Sequence, residues 1–291
     1  MILFADSLVS LLEIGVRSGR AANRVAMVFL AIAAACAGAG DRTTARRAAA
    51  PPIRFDSIRI AATEGDCDVP TGACARVEIL YPLAESETHH KAADAIHQTA
   101  AGWLLGRAGD DARSASPDTV AAQFISAFLD FRRLNPTLKP RWKLTRTVRV
   151  DLDTLGVVTL HGVQEDYEGG AHFNTNAFWA SFSLATGQRL GVNELVAPAD
   201  TARFRALVEA AFRKAREFGP AVSFADSGFF PHTGGRFTLP ENIGVTRDGL
   251  MLFYNRYEAA AYVAGPTDVT LPWRTLRGLL RPDSPAAAFV R

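Results

Sequence analysis

The run DYEGGAHFNTN, Asp166 to Asn176, holds the residue types of a reactive site: acids at its start, a double glycine, a histidine and two asparagines. An imidazole titrates near neutral pH, so His172 offers a general base or a metal ligand, with Asp166, Glu168 and His232 as conceivable partners. Metal-binding histidines come with a second ligand at fixed spacing, such as H-x-x-x-H or H-x-H, and none stands beside His172. The simpler reading is a sharp turn. Gly169 and Gly170 supply positive φ without a Cβ penalty, and His172 then starts the next strand, bonded to a neighbouring strand or to the returning YNRYE segment. No metal, no cofactor and no catalytic residue are assigned.

Other reactive groups give no stronger signal. G-x-S-x-G is absent, and Ser227-Gly228 follows Asp226 without the flanking glycine of a nucleophile elbow. His89, His90 and His97 sit on or beside an amphipathic helix, mostly towards solvent. The aromatics support binding instead. Tyr254, Tyr257, Tyr262, Phe229 and Phe230, with Asn242 and Asn255 near them, combine flat apolar rings with placed polar groups, part of the set belonging to the core. The residues expected to line a cleft are Tyr167, His172, Asn174, Tyr254 and Tyr257.

The elements that must position them follow from periodicity. Alternation predicts strands over 53–60 and 74–81. Ala93, Ile96, Ala100, Trp103 and Leu104 form the seam of a helix ending at Gly106. Ser116 and Pro117 open a second helix with stripe Val120, Phe124, Phe128 and Phe131, stopped at Asn135-Pro136. Strands are expected at Trp142–Leu152 and Leu155–Asp166, with a turn through Asp153 and Thr154. A half-buried strand then carries Phe178, Ala180, Phe182 and Leu184 on one face and pairs antiparallel across the glycine turn. Asp200 caps a third helix, whose Arg203, Arg205, Arg213, Lys214 and Arg216 face out as a solvated surface or, less simply, a phosphate or anionic-lipid site. Two or three strands surround Asp248-Gly249, and a short last helix carries Leu276, Leu279 and Leu280. Segregated strands and helices predict an α+β fold of antiparallel sheets with helices on one face. Its two intimately linked subdomains are 53–151 and 152–291.

The chain has 291 residues, 48% of them hydrophobic and 21% charged, enough for one large core or two modest ones. Basic residues number 32 and acidic 30, interleaved, and no aromatic-lined basic stripe suggests nucleic acid. Arg17, Arg20 and Arg24 precede an apolar run from Val25 to Ala35, well short of the roughly 20 residues of a spanning helix. That is the pattern of an export signal over residues 1–36. Ala33-Ala34-Ala35-Cys36 matches a lipobox, although such boxes usually carry leucine where Ala33 stands, and it predicts acylation of Cys36. The alternatives are a plain secretory signal or an N-terminal core helix. Residues 37–52, rich in Ala, Arg and Pro, read as a flexible tether. Behind an export signal, Cys67 and Cys74, flanking a Pro and Gly turn, read as a disulfide.

Three pieces carry a family resemblance: Tyr167-x-Gly-Gly-Ala-His172, the turn at Thr186 to Leu190, and Tyr254-Asn-x-Tyr257-Glu258 followed by Ala264-Gly265-Pro266. With them the chain resembles the paired extracellular domains of unknown function found in the anti-sigma factor RsiV and the peptidoglycan deacetylase PdaC, the C-terminal domain most clearly and 53–151 as its small companion. The resemblance implies a module outside the membrane that binds or senses a cell-wall glycan or a lysozyme-like protein without catalysis, lipid-anchored in the periplasm or on the extracellular face. The alternative is an envelope hydrolase using His172 with a carboxylate.

Overall fold

The computed structural model describes residues 53–105, 116–219, 221–224, 227–230, 232–233 and 236–290. Cys36, the export signal over 1–36, the tether over 37–52, Gly106 and Asp226 lie outside the described residues. The chain from Pro52 to Arg291 forms one compact unit. The subdomain boundary expected at 151/152 falls inside a strand, and two apolar cores meet there.

The first sheet has five strands in the order β1-β2-β3-β4-β5: β1 (Arg54–Gly65), β2 (Cys74–Glu85), β3 (Arg141–Thr154), β4 (Val157–Tyr167) and β5 (Asn174–Ser183). Between β2 and β3 the chain makes α1 (His90–Leu105) and α2 (Pro117–Leu134). This two-helix crossover returns the chain to the end of the sheet where β2 began. Therefore β2 and β3 pair parallel, Cys74 beside Arg141 and Arg76 beside Lys143, a departure from the all-antiparallel expectation. The other pairings are antiparallel. β3 and β4 join through Leu155 and Gly156, both at positive φ, a two-residue hairpin two positions later than the sequence suggests.

α1 and α2 cover one face. Ile96, Ala100 and Leu104 of α1 and Phe124 and Phe128 of α2 bury against Val77, Ile79, Leu144, Leu160 and Phe182 of the sheet. α2 begins as expected, Ser116 accepting from the Thr119 amide and Pro117 in the first turn. The carbonyls at the end of α1 are met from the sheet: Arg146 donates to Leu104 O and Gln164 to Trp103 O. Asp166, 3.3 Å from Arg146, balances that buried charge.

The opposite face over β4 and β5 is also covered. A short helix α3 (Val192–Leu195), then α4 (Thr201–Ala215), the small hairpin β6 (His232–Thr233) and β7 (Arg236–Phe237), and a three-stranded sheet of β8 (Asn242–Val245), β9 (Gly249–Tyr254) and β10 (Thr267–Pro272) build a second core. Phe204, Val208 and Phe212 of α4 meet Leu250, Leu252 and Val269 there. β5 is thus buried on both faces at its end, where one polar face was expected. Its Ser181 sits in a closed ring: Val245 N–H donates to Ser181 Oγ, Ser181 Oγ lies 2.7 Å from Thr159 Oγ1, and Thr159 Oγ1 donates to Val245 O.

Three expectations of local structure change. Asp200 ends a 3-10 turn, Pro198–Asp200, and its side chain makes no cap bond. Arg213 of α4 and Arg216 just after it turn back on the protein. Arg213 pairs with Glu209 at 3.0 Å, and Arg216 donates to Ala264 O and Pro266 O, gripping the loop before β10. Leu276, Leu279 and Leu280 are buried as expected, but on a turn between two 3-10 segments, Trp273–Thr275 and Pro285–Val290.

Candidate functional site

Gly169 and Gly170 both stand near φ +100°, so DYEGGAHFNTN is the glycine turn read from the sequence, closing the β4–β5 hairpin. Tyr167 ends β4 and donates its hydroxyl to Gly170 O at 3.0 Å, fixing the turn against its own strand. The ring of Phe173 lies 4.7 Å from that of Tyr167. Lys143 of β3 lies over Phe173 and bonds Glu165 at 2.7 Å.

His172 turns to the returning segment. Its ring stacks on Tyr262 at 3.7 Å, its Nδ1 is 3.2 Å from Phe173 O, and the Tyr262 hydroxyl donates to the same carbonyl at 2.8 Å. Tyr257 lies 5.7 Å beyond Tyr262, and Arg256 covers the Tyr262 ring at 4.9 Å. Two further bonds fasten this loop to the edge strand: Asn255 accepts from Ala177 N and donates to Ala177 O. Residues from three distant stretches therefore form one aromatic end of the molecule. Phe173 is 39% exposed and Tyr257 66%.

Tyr257 has φ +64°, a left-handed conformation that costs a non-glycine residue about 1–2 kcal/mol. The turn is held by Asn255 N donating to Glu258 and by Tyr257 N donating to Ala260 O. Burial raises the Glu258 pKa and the neighbouring Glu241 adds to this, while the bond from Asn255 opposes it.

Of the five expected cleft residues, Tyr167, His172 and Tyr257 come together. Tyr254 is a correction: it is 2% exposed, packs against Phe212 and Phe237, and donates its hydroxyl to Thr238 O at 2.9 Å, with burial raising its pKa. Its place after Leu250 and Leu252 on the inner face of β9 carried that signal, since alternate residues of a strand share a face. Asn174 is exposed, but it pairs with Asp166 and shares that residue's face, turned to the helices and away from Tyr167 and Phe173. Phe229 is also drawn to the core, beside Phe212 and under Arg216, whereas Phe230 is exposed. The residues that sequence reasoning passed over are Phe173, in the hairpin itself, and Arg141, Trp142 and Lys143, brought beside it by the antiparallel β3–β4 pairing, while the parallel β2–β3 pairing sets Cys74 and Arg76 next to them.

Cys67 and Cys74 form the expected disulfide. The loop it closes wraps Arg141, whose guanidinium donates to Val69 O at 2.8 Å, Gly72 O at 3.0 Å and Cys67 O at 3.1 Å. Beside it open two clefts that share Arg141 and Tyr167. One, of about 410 Å³, is walled by Phe131, Leu138, Lys139 and Glu168; the other, of about 270 Å³, by Cys74, Arg76, Trp142, Lys143 and Phe173.

Among the described residues, no three His, Cys, Asp or Glu side chains gather as a metal site, and no helix is long and apolar enough to cross a membrane. Among the same residues His172 bonds no carboxylate, and Asp166 is engaged with Arg146.

No curated protein matches the sequence. Residues 193–274 match the family described as "Protein of unknown function (DUF3298)". Two crystal structures share the fold. A DUF3298-family member from Bacteroides fragilis is 15% identical with a TM-score of 0.62, over 82% of this chain and 98% of that one. A DUF3298-family protein from Pseudomonas aeruginosa is 16% identical with a TM-score of 0.52, over 79% of this chain and 95% of that one. A DUF3298 domain thus occupies residues 193–274, within a fold that this chain shares along most of its length with two members of that family.

Proposed function

We propose that this chain is a non-catalytic binding module of the bacterial cell envelope whose aromatic end recognises a cell-wall glycan. One observation carries the reading: Tyr167, Phe173, His172, Tyr262 and Tyr257 form a linked series of rings at one end, with exposed members and with backbone strain held at the most exposed tyrosine. Flat rings with a few polar neighbours suit the apolar faces of sugars. Strain at a solvent-facing ring, fixed by surrounding bonds, is what a preformed contact requires.

The envelope setting rests on the sequence. Arg17, Arg20 and Arg24 before a short apolar run give an export signal, Cys36 takes the lipid, and residues 37–52 tether the folded part. The disulfide fits an oxidising compartment. The resemblance to RsiV and PdaC supplies two ligand classes, a cell-wall glycan or a lysozyme-like protein, and the exposed rings favour the glycan. The hydrolase alternative is the weaker reading, because the His172 ring is occupied by Tyr262 and Phe173 O and not aligned by an acid.

The test is co-sedimentation of the full chain with purified sacculi. Saturable binding, lost in Tyr257→Ala and Phe173→Ala at unchanged melting temperature, is expected. Failure to sediment would reject the glycan, and lysozyme would be the next ligand tried.

A further inference from the structure

The larger surroundings of Tyr167 hold a second kind of recognition beside the rings. We infer that Arg141 is an anion subsite and that the glycan bound at this end carries a carboxylate. This rests on the glycan reading above and deepens it.

A guanidinium has five N–H donors in a fixed plane. In Arg141 three are taken, two from Nη1 to Val69 O and Gly72 O and one from Nη2 to Cys67 O. These acceptors are neutral carbonyls. They orient the side chain and leave its charge whole. The donors left are Nε–H and the second Nη2–H, and a carboxylate accepts such a side-by-side pair through both oxygens. Among the described residues neither has an acceptor, and Arg141 enters no ion pair.

The neighbouring charges single out this residue. Lys143 is matched by Glu165 at 2.7 Å, and Arg76 stands 4.0 Å from Asp68. Lys139 and Glu168 also line the larger cleft, but among the described residues no loop carbonyl orients Lys139 as three orient Arg141. Arg141 alone reaches both clefts as a cation without a carboxylate. Trp142, in the wall of the smaller cleft, has its Nε1–H buried without an acceptor among the described residues. Tyr167 lines both clefts and Phe173 the smaller one, so a ring resting on them brings its substituents to Arg141. The disulfide closes the loop that bears all three carbonyls, so the cation is oriented before any ligand arrives and little ordering is left for binding to supply.

The probes are two disaccharides that differ by one O-lactyl group, which bears the carboxylate: chitobiose in its N,N′-diacetyl form, and N-acetylglucosaminyl-N-acetylmuramic acid. Titrated calorimetrically against the full chain, the acidic sugar is expected to bind about tenfold tighter or more, as a charge-assisted pair implies. That advantage should shrink as salt rises. Esterifying its carboxylate should remove the advantage with wild-type protein, so the test stands even if Arg141→Gln disturbs the loop. In folded Arg141→Gln the two sugars should bind alike, at the chitobiose affinity. Equal affinities in the wild type would overturn the anion subsite and leave the glycan reading standing. Binding of neither sugar would overturn both.

Discussion

His172 and Tyr262 lie face to face, ring centroids 3.7 Å apart and planes 16° from parallel, and the Tyr262 hydroxyl closes the contact on Phe173 O. The glycine turn is therefore shaped from outside as well as by its own backbone. Tyr262→Phe keeps the stack and loses one partly exposed hydrogen bond, a cost of about 0.5–1.5 kcal/mol. Tyr262→Ala loses both, and amide exchange over residues 168–173 should rise well above that of Tyr262→Phe. Equal exchange in the two variants would mean the stack does not hold the turn.

Tyr257 holds a left-handed backbone at an exposed position, which predicts a split between stability and binding. Replacing it by glycine or alanine removes the same ring. Glycine alone relieves the strain, so Tyr257→Gly should be more stable than Tyr257→Ala by about 1 kcal/mol in urea unfolding, after glycine's own entropy cost. Both should lose sacculus binding.

The ring of Val245, Ser181 and Thr159 joins the two sheets by three buried hydrogen bonds. Thr159→Val removes the hydroxyl donor to Val245 O and leaves the Ser181 O–H, whose oxygen still accepts from Val245 N–H, without its acceptor, at about 1–3 kcal/mol. Because one deletion already opens the ring, the double variant Thr159→Val with Ser181→Ala should cost less than the sum of the single changes. Strict additivity in chemical denaturation would show that the bonds act separately.

What the sequence discloses here depends on how far its partners lie along the chain. The α2 cap, its Phe stripe and the glycine turn of the β4–β5 hairpin are local, and Ser116, Phe128 and Gly169 declare them. The meeting of Cys74 with Arg141 and of Arg76 with Lys143 depends on a parallel pairing across two helices, and no local pattern records it. Tyr254 departs from its expected place for another reason. Its type suits a binding surface, while the alternation with Leu250 and Leu252 puts it in the core, and position outranks type inside a strand. Phe173 stands in the turn before β5, where no periodic pattern marks an apolar residue.

His161 stacks on Trp179 at 4.2 Å where the second sheet covers β4. Burial lowers its pKa from 6.5; Asp151 opposes the shift and Arg149 adds to it. The unfolded chain therefore takes up a proton at higher pH than the fold does. Stability contributed by neutral His161 is complete above 6.5 and falls as pH drops from 6.5 towards the lowered folded value. Glu258, with its pKa raised by burial, gives the opposite slope above 4.5. The stability of wild type relative to His161→Phe isolates the histidine, and it should fall as pH drops below 6.5. A pH-independent difference would contradict this.

The most direct test of the central claim is to titrate the isotopically labelled chain with chitotetraose and follow backbone amide shifts. Glycan binding at the aromatic end predicts saturable changes at Tyr167, His172, Phe173, Tyr257 and Tyr262, abolished by Phe173→Ala. Changes confined to other surfaces, or none at saturating sugar, would contradict it.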